Sequence, residues 1–395
     1  MQEHLVGKMI IGQSGGPTAV INQSLVGAVL AARKQPNIKG ILGARHGIAG
    51  IMKEDFIDLS TLGVAQLELV AATPAAALGS VRLKPSPSDC EKVFEVFKKN
   101  DVRYFFYIGG NDTAETAQII SEIAKEANYD FCTVHVPKTI DNDLRVTDHC
   151  PGFPSAARFV ALAFMGDDLD NRALPGIKVN VVMGRHAGFI TASAALARQV
   201  EGDGPHLIYL PERVFDIEQF KEDVRDVVAE HGRCVIAASE GIIDKAGNPI
   251  SSSGEKDSHG NIQLSGSGAL GDFLAALVKE AFFGQKVRVR ADTFGYLQRS
   301  FPSVISEVDA KEARTVGDYA VNHATSTGMA GSVAIRRLTS NPYSSECFVT
   351  PLSSVAREAI KMKDEYINAA GNDVTQLWID YVAPLVGELP KMGRL

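Results

Sequence analysis

A lysine and two aspartates stand within six residues of one another, directly after an apolar run. Lys138, Asp141 and Asp143 follow Phe131–Val136, whose composition is typical of a buried strand. A carboxylate in this place can take a proton from a hydroxyl group, and the ammonium group can compensate developing negative charge. A solvated Asx turn would explain the two aspartates alone, but not the lysine beside them. We therefore interpret the segment as catalytic.

Two further apolar runs end on paired glycines that precede helix-like patterns. The pair Gly15–Gly16 follows Met9–Ile11, and the pair Gly109–Gly110 follows Tyr104–Ile108. Glycines let backbone N–H groups approach an anion, and a helix N-terminus adds partial positive charge. A tight structural turn is the alternative for the first pair, and an N-cap of a helix that begins near Thr113 is the alternative for the second. Neither is a GxxxxGK[ST] phosphate loop, a motif that the chain lacks.

Buried strands that alternate with helices must position these turns. The predicted strands are Met9–Ile11, Ile41–Leu42, Tyr104–Ile108, Phe131–Val136, Val179–Met183, Leu207–Leu210 and Cys234–Ala238. The predicted helices include Thr18–Ala32, Ser88–Lys98 and Thr113–Ala127. The alternation predicts an α/β fold of parallel βαβ units, in which ligands bind beyond the carboxyl ends of the strands. The polar stretch 244–268 is predicted to be a long hairpin or a mobile loop.

Composition narrows the class of protein. The chain has 395 residues and a formal charge of −7, so two domains are expected, and nucleic acid is not an expected partner. Five scattered cysteines without metal-ligand spacing indicate free thiols in a reducing compartment. No uncharged apolar stretch reaches membrane-spanning length, and the first predicted strand begins too early to leave room for a signal peptide. A cytoplasmic enzyme without membrane contact is expected.

The chain resembles the phosphofructokinases through an ordered set of short motifs from Gly12 to about Arg299. They are SGG near residue 15, GSxR at Gly79–Arg82, GGxxT at Gly109–Thr113, TIDND at Thr139–Asp143, MGR at Met183–Arg185, Ser-Glu-Gly at Ser239–Gly241 and QR at Gln298–Arg299. This resemblance implies two Rossmann-like α/β lobes with the active site in the cleft between them. We expect residues 1–152 and about 300–348 to form a phosphoryl-donor lobe. Residues from about 153–299 and 349–395 are expected to form a sugar-phosphate lobe.

Two positions indicate which phosphoryl donor the chain uses. In the family, members that use ATP generally have GGDGS and a glycine before TIDND, whereas members that use pyrophosphate carry a second acidic residue and PKTIDND. Asp112 and Lys138 match the pyrophosphate type. A carboxylate at position 112 would repel the α-phosphate of a nucleotide, and Lys138 could compensate the charge of a compact pyrophosphate.

The resemblance also implies a role for each matching residue. Asp141 would be the general base toward the 1-hydroxyl of fructose 6-phosphate, and Asp143 would orient that hydroxyl or help to bind magnesium. The predicted catalytic residues are Asp112, Lys138, Asp141 and Asp143. The predicted pyrophosphate-binding residues are Gly15, Gly16, Arg82, Gly110 and Thr113. The predicted sugar-phosphate-binding residues are Thr139, Asp141, Met183, Gly184, Arg185, Glu240, Arg290, Tyr296 and Arg299.

The chain departs from the family pattern at three places. Asn111 stands where the family usually has a magnesium-binding aspartate, so either Asn111 or Asp112 is expected to hold Mg²⁺. Tyr296 stands where many ATP-using members have histidine. An arginine commonly found upstream of MGR is absent, and Lys178 is out of register with it. In the family, the arginine aligned with Arg290 comes from a neighbouring subunit, which implies a homo-oligomer, at least a dimer.

Three alternatives to a pyrophosphate-dependent enzyme remain open. The first is an ATP-dependent phosphofructokinase, against which Asp112 and Lys138 argue. The second is a lipid or nucleotide kinase that shares the GGxxT turn but lacks TIDND and MGR. The third is a non-catalytic regulatory subunit that binds sugar phosphates, against which the retained Asp141, Asp143 and Arg185 argue.

Overall fold

A computed structural model describes residues 5–250, 268–356 and 358–394 of the chain. The chain divides into two compact units, with boundaries between Phe153 and Pro154, between Gln298 and Arg299, and between Ile360 and Lys361. The last crossing comes later than the expected position near residue 348. The reason is that Leu144 pairs with Ala359, which keeps this part of the chain in the first unit.

The first unit contains a seven-stranded sheet in the order β11-β10-β5-β4-β1-β2-β3. Its strands are β1 (Gly7–Gln13), β2 (Ile38–Ala44), β3 (Phe56–Asp58), β4 (Val102–Gly109), β5 (Cys132–Pro137), β10 (Gly331–Ser340) and β11 (Tyr343–Thr350). Its helices are α1 (Ile21–Ala32), α2 (Gly47–Met52), α3 (Val64–Ala72), α4 (Pro87–Lys99), α5 (Asn111–Glu126) and α10 (Glu307–Thr327), with a 3₁₀ turn at Leu352–Ser354. The five central strands are parallel, and the two edge strands are antiparallel.

Helices cover both faces of this sheet because side chains alternate along each strand. Met9 and Ile11 belong to a core that includes residues of α1 and α10. Ile10 belongs to a second core, on the opposite face, that includes Phe97 of α4 and Ile120 of α5. The central strands are therefore buried on both sides, as their continuous apolar runs predict.

The second unit contains a four-stranded parallel sheet in the order β7-β8-β6-β9. Its strands are β6 (Ile177–Val182), β7 (Leu207–Tyr209), β8 (Cys234–Ser239) and β9 (Val289–Thr293). Its helices are α6 (Phe153–Ala173, whose first residue belongs to the first unit), α7 (Phe189–Ala192), α8 (Ile217–His231), α9 (Ala269–Ala281) and α11 (Gln376–Val386), with 3₁₀ turns at Ser193–Ala197, Gly295–Arg299 and Asp364–Tyr366. Helices α8 and α9 pack on one face, and Asn180 of β6 donates a hydrogen bond to Asp167 of α6 (2.7 Å).

All seven predicted strands and the three named helices are confirmed, with shifts at their ends. Helix α1 begins at Ile21 rather than Thr18, and Val20 before it has a non-helical φ of −120°. Of the polar stretch 244–268, residues 251–267 lie outside the described part of the chain. The residues before them form a tight turn in which Ile243 pairs with Pro249. In the described residues, no helix has both the length and the apolar character that a membrane span requires.

Helices α1 and α10 cross at two glycines. A Cβ atom at Gly27 would lie 2.2 Å from the Arg314 carbonyl oxygen, and one at Gly317 would lie 2.0 Å from the Ser24 carbonyl oxygen. Both distances are below van der Waals contact, so the close approach of these helices requires glycine on each side.

Replacing either glycine should therefore destabilise the first unit. We expect Gly27→Ala and Gly317→Ala each to lower the free energy of unfolding by about 1–3 kcal/mol, the usual cost of overpacking, measured by urea denaturation. Gly166→Ala on α6 is the matched control, because a Cβ there meets nothing within 4 Å. It should stabilise the protein by roughly 0.5–1 kcal/mol. Equal effects of all three substitutions would contradict the close crossing.

Candidate active site

In the first unit, three predicted functional turns follow three neighbouring strands. Strands β1, β4 and β5 lie side by side, with Gln13 aligned to Ile108 and Gly109 aligned to Pro137. Backbone hydrogen bonds tie the turns together, since the Lys138 amide donates to the Gly109 carbonyl (3.0 Å). The strand order reverses between β1 and β4, and in open α/β sheets such a switch point is where ligands bind.

The first glycine turn seats the ammonium group of Lys138. Lys138 Nζ donates to the Gly16 carbonyl oxygen at 2.8 Å. A Cβ at Gly15, whose φ is +75°, would lie 3.1 Å from the same Nζ. The Gly15 amide donates to the Val81 carbonyl (3.1 Å) and is therefore committed within the protein. The turn thus fixes the position of the lysine, and pyrophosphate binding by Gly15 and Gly16 stays a prediction.

Lys138 is a buried cation that has both positively and negatively charged side chains near it. Its side chain is buried, with the residue only 3% exposed. Burial and the nearby guanidinium groups of Arg299 and Arg82 lower the pKa of Lys138 to about 7, although Asp141 and Asp143 act in the opposite direction. The ammonium group is therefore underneutralised in the free protein, and an added anion would favour its charged form.

The carboxylate turn, which is Thr139–Asp143, follows Lys138 directly. Asn142 has a φ of +57°, and its Oδ1 accepts a hydrogen bond from the Cys150 amide (2.9 Å). The Asp141 amide donates to Thr139 Oγ1 (3.1 Å). Burial and the like charge of Asp141 raise the pKa of Asp143 to about 7. The pair therefore attracts a proton or another cation near neutral pH.

The second glycine turn opens helix α5. A Cβ at Gly109 would lie 2.1 Å from Oγ1 of the buried Thr113, so this glycine is required by packing. A Cβ at Gly110 would meet nothing within 4 Å, so packing does not require the second glycine. The helix begins at Asn111, two residues before the predicted start, and no side chain caps it. The Asp112 amide donates to Asn111 Oδ1 (3.2 Å), and the Thr113 amide donates to the Gly110 carbonyl (3.1 Å). The helix therefore offers an anion chiefly the partial positive charge of its N-terminus.

His135 braces this turn, a role that sequence reasoning missed. The residue is fully buried in β5, with Nε2 2.8 Å from the Gly109 carbonyl and Nδ1 2.7 Å from Ser332 Oγ. Burial lowers the pKa of His135 to about 4, so the ring is neutral. The Nε2–H therefore donates to Gly109, and Nδ1 accepts from Ser332. A histidine inside an otherwise apolar strand was the only signal in the sequence.

Asp112 lies at the exposed start of α5, with 72% of its side chain accessible to solvent. Lys84 Nζ is 3.7 Å from Asp112 Oδ1 and 2.9 Å from Glu115 Oε2. The hydrogen bond to Glu115, together with the charge of Asp112, raises the pKa of Lys84. Lys84 was not among the predicted residues, although it stands two residues after the predicted Arg82. Arg82 is exposed.

The residues considered for magnesium do not form a complete protein cage. Within the described residues, no group of three or more His, Cys, Asp or Glu could hold a metal ion. Asn111 and Asp112 offer oxygen atoms at the start of α5, and Asp141 with Asp143 supplies a second pair. Mg²⁺ is usually bound through one or two carboxylates, with waters and substrate phosphates completing the shell. The oxygen donors therefore fit a magnesium ion that is bound together with a phosphate substrate.

In the second unit, the turn after β6 carries the MGR motif. The Met183 amide donates to Gln298 Oε1 (3.3 Å), and Ser239 Oγ donates to the Gly184 carbonyl (2.5 Å). Three motifs that are far apart in sequence, MGR, Ser-Glu-Gly and QR, therefore meet here. Gln298 and Ser239 act as supports for the turn.

Two further contacts fix the same turn. A Cβ at Gly241 would lie 2.0 Å from the Arg185 carbonyl oxygen, so glycine is needed there. The Gly188 amide donates to Glu212 Oε1 (2.9 Å), a residue that the sequence analysis did not single out. Arg185 is half-buried, and Glu240 is buried, with its amide donating to the Val182 carbonyl (2.9 Å).

The remaining predicted residues divide between the two units. Arg290 is exposed on β9, at the edge of the second sheet, and donates only to the neighbouring Val289 carbonyl among the contacts described for it (2.9 Å). Tyr296 is 54% exposed. Arg299 lies in the first unit, where its guanidinium carbon would be 3.3 Å from a Cβ at Gly16. The structure thus brings Arg299 to the Lys138 turn.

Comparisons with known proteins agree with this arrangement. The sequence model of the family described as Phosphofructokinase matches residues 8–324. A protein of Rhodospirillum rubrum named pyrophosphate–fructose 6-phosphate 1-phosphotransferase is 52% identical, with 98% of this chain and 96% of that protein covered. A protein of Amycolatopsis methanolica named ATP-dependent 6-phosphofructokinase is 29% identical, over 65% of this chain and 56% of that protein.

A solved structure gives the same result. The crystal structure of pyrophosphate-dependent phosphofructokinase from Marinobacter aquaeolei superimposes with a TM-score of 0.86 at 35% identity, covering 98% of this chain and 94% of that one. The sheet of the first unit presents a buried lysine, paired carboxylates and glycine turns at the carboxyl ends of its strands, and together with these relatives it indicates an α/β phosphotransferase. Within that class, the chain belongs to the phosphofructokinase family.

Proposed function

We propose that this chain transfers a phosphoryl group from pyrophosphate to the 1-hydroxyl of fructose 6-phosphate. The products are fructose 1,6-bisphosphate and phosphate, and the reaction is reversible and serves glycolysis and gluconeogenesis. The observation that carries the proposal is the buried Lys138 ammonium, seated 2.8 Å from the Gly16 carbonyl beside the carboxylate turn. The full-length relative that is 52% identical carries the name of this activity.

Asp141 acts as general base and takes the proton of the 1-hydroxyl as its oxygen attacks the terminal phosphoryl group. The bond from that phosphorus to the bridging oxygen breaks, and phosphate leaves. Phosphoryl transfer depends mainly on positioning and charge neutralisation. Lys138, Arg82 and Arg299 provide positive charge for the departing phosphate, and the N-terminus of α5 at Gly110 adds its partial positive charge.

Asn111 or Asp112 would hold a magnesium ion, and Asp143 would either help to hold it or orient the hydroxyl. When bound, Mg²⁺ neutralises part of the charge on the pyrophosphate oxygens. The raised pKa of Asp143 supports this role, because a cation beside the carboxylate pair would offset the repulsion between Asp141 and Asp143.

A further set of predicted residues binds the sugar phosphate in this proposal. Those assigned to the sugar are Thr139, Met183, Gly184, Arg185 and Glu240, and those assigned to its 6-phosphate are Arg290, Tyr296 and Arg299. Arg290 serves the site of a neighbouring subunit, so the enzyme is at least a homodimer, which the native molar mass in solution tests. We place the enzyme in the cytoplasm, without a nucleic-acid or membrane partner.

Donor choice tests the proposal most sharply. The wild type should use pyrophosphate and show no useful rate with ATP in a coupled assay. Asp112→Gly should raise ATP use, because it removes the carboxylate that repels an α-phosphate. Lys138→Gly should lower kcat/KM with pyrophosphate by about one to two decades, since a lost charge-assisted contact costs roughly 1.5–3 kcal/mol.

Glu115→Gln is the matched control for Asp112. Glu115 lies on the same helix as Asp112 and also contacts Lys84, with Oε2 2.9 Å from Nζ. The substitution therefore removes a negative charge beside the same lysine, but one turn further from the glycines. Its donor preference should equal that of the wild type. Efficient ATP use by the wild type, or an unchanged preference in Asp112→Gly, Lys138→Gly and the double variant, would overturn the assignment.

Asp141 is expected to dominate turnover. Asp141→Asn keeps the size of the side chain but cannot take the proton, so kcat should fall on the order of 10²–10⁴-fold, the range for a general base. The thermal unfolding midpoint should change little. Steady-state kinetics and a melting curve on the same preparation check both statements. Near wild-type turnover in Asp141→Asn would contradict the role of Asp141 as general base and leave it only a structural role in the turn.

A further inference from the structure

A buried histidine outside these turns lies between two carboxylates. His149 is 1% exposed, with Nδ1 2.9 Å from Asp148 Oδ2 and Nε2 2.6 Å from Glu312 Oε2. Carboxylates only accept hydrogen bonds, so both ring nitrogens must donate, which requires the imidazolium form. Burial alone would lower the pKa of His149, but the hydrogen bonds to Asp148 and Glu312 raise it to about 9.

The surroundings of this ring balance its charge. Asp148 also accepts from Arg337 Nη2 (3.0 Å). Glu312 Oε1 also accepts from the Tyr343 hydroxyl (2.6 Å) and from Ser345 Oγ (2.5 Å). One imidazolium and one guanidinium thus face two carboxylates, and the hydroxyl groups fill the remaining acceptor sites. Groups from α10, β10 and β11 therefore converge on the histidine.

The segment that carries the histidine also holds the carboxylate turn. The Cys150 amide donates to Asn142 Oδ1 (2.9 Å), and the Gly152 amide donates to Asp309 Oδ1 (2.8 Å). Asp309 and Glu312 are three residues apart on α10, so they share one helix face. That face of α10 therefore holds residues 148–152, the returning segment, at two points. The returning segment in turn holds Asn142, which lies between the two aspartates.

We propose that His149, held as an imidazolium between Asp148 and Glu312, is a positioning residue for the carboxylate turn. It acts through Cys150 and Asn142. This inference rests on the function proposed above, because it assumes that Asp141 is the general base. Loss of the charged ring would shift Asp141 against the sugar hydroxyl, and misplacement by about 1 Å can cost about 10²-fold in rate. The seat of Lys138 on the Gly16 turn has its own contacts and would keep its affinity for pyrophosphate.

Kinetics of two variants test this role. His149→Gln and Glu312→Gln should each lower kcat by roughly 10–100-fold, while KM for pyrophosphate stays within about twofold. Glu68→Gln is the matched control, because it breaks another ion pair of α10, to Arg314 (2.7 Å), away from the returning segment. Its kcat and KM should equal those of the wild type.

The pH profile provides a readout that a merely structural role would not change. A raised pKa means that the contribution of His149 is complete below the ordinary value near 6.5 and is lost as the pH rises through about 9. The wild-type kcat should fall in that alkaline range. Glu312→Gln removes one counter-charge, so the fall should move to lower pH by about one unit, whereas Glu68→Gln should leave it in place.

The outcomes separate the two proposals. If His149→Gln fails to fold, the pH profile of Glu312→Gln decides the question. An active wild type whose kcat and alkaline limb are unchanged in the folded variants would overturn the positioning role. A wild type without turnover on pyrophosphate would overturn the proposed function itself, and the inference with it.

Discussion

A buried ammonium group without full compensation is the interaction on which the rest of the site depends. Lys138 is 3% exposed and lies near Arg299 and Arg82 as well as near Asp141 and Asp143. Burying a cation costs free energy unless anions and hydrogen-bond acceptors surround it. The Gly16 carbonyl supplies one acceptor, and two carboxylates supply part of the charge. The negative charge still missing around Lys138 would be supplied by a polyanionic phosphoryl donor when it binds.

The fold keeps this charged group in place through neighbours that are themselves fixed. The strand order places the ends of β1, β4 and β5 side by side. Neutral His135 donates a hydrogen bond to the Gly109 carbonyl. Helix α10 holds the returning segment, which follows the carboxylate turn, through Asp309. The close crossing of α1 and α10, permitted by Gly27 and Gly317, fixes α10 itself. Positioning of this quality is what phosphoryl transfer requires of a protein.

Local patterns in the sequence predicted the strands and the turns well. Apolar runs that end in glycine or in a charged cluster carry their information within about ten residues, and this is why all seven strands were found. Gly110 and Lys138 were predicted as site residues from the same local patterns, and the structure places both in turns that follow strands of the first sheet. The seven ordered motifs indicated the family, which the comparisons confirmed.

Contacts between distant residues could not be predicted in this way. Lys84 reaches Asp112, Ser332 reaches His135, and Arg299 reaches Gly16, each across more than 25 positions of the chain. The Gly15 amide donates to the Val81 carbonyl, 66 residues away. The late crossing to the second unit depends on the pairing of Leu144 with Ala359. Such contacts depend on the tertiary fold and leave little signal in one sequence.

The number of protons taken up when pyrophosphate binds tests the central role of Lys138 most directly. At pH 8, a lysine whose pKa is about 7 is mostly neutral, and a bound polyanion would restore its charge. Calorimetry in buffers of different ionisation enthalpy measures that uptake. Lys138→Arg is the comparison, because arginine is always protonated. We predict that the wild type takes up nearly one proton more than Lys138→Arg, and equal proton counts in the two proteins would contradict the account.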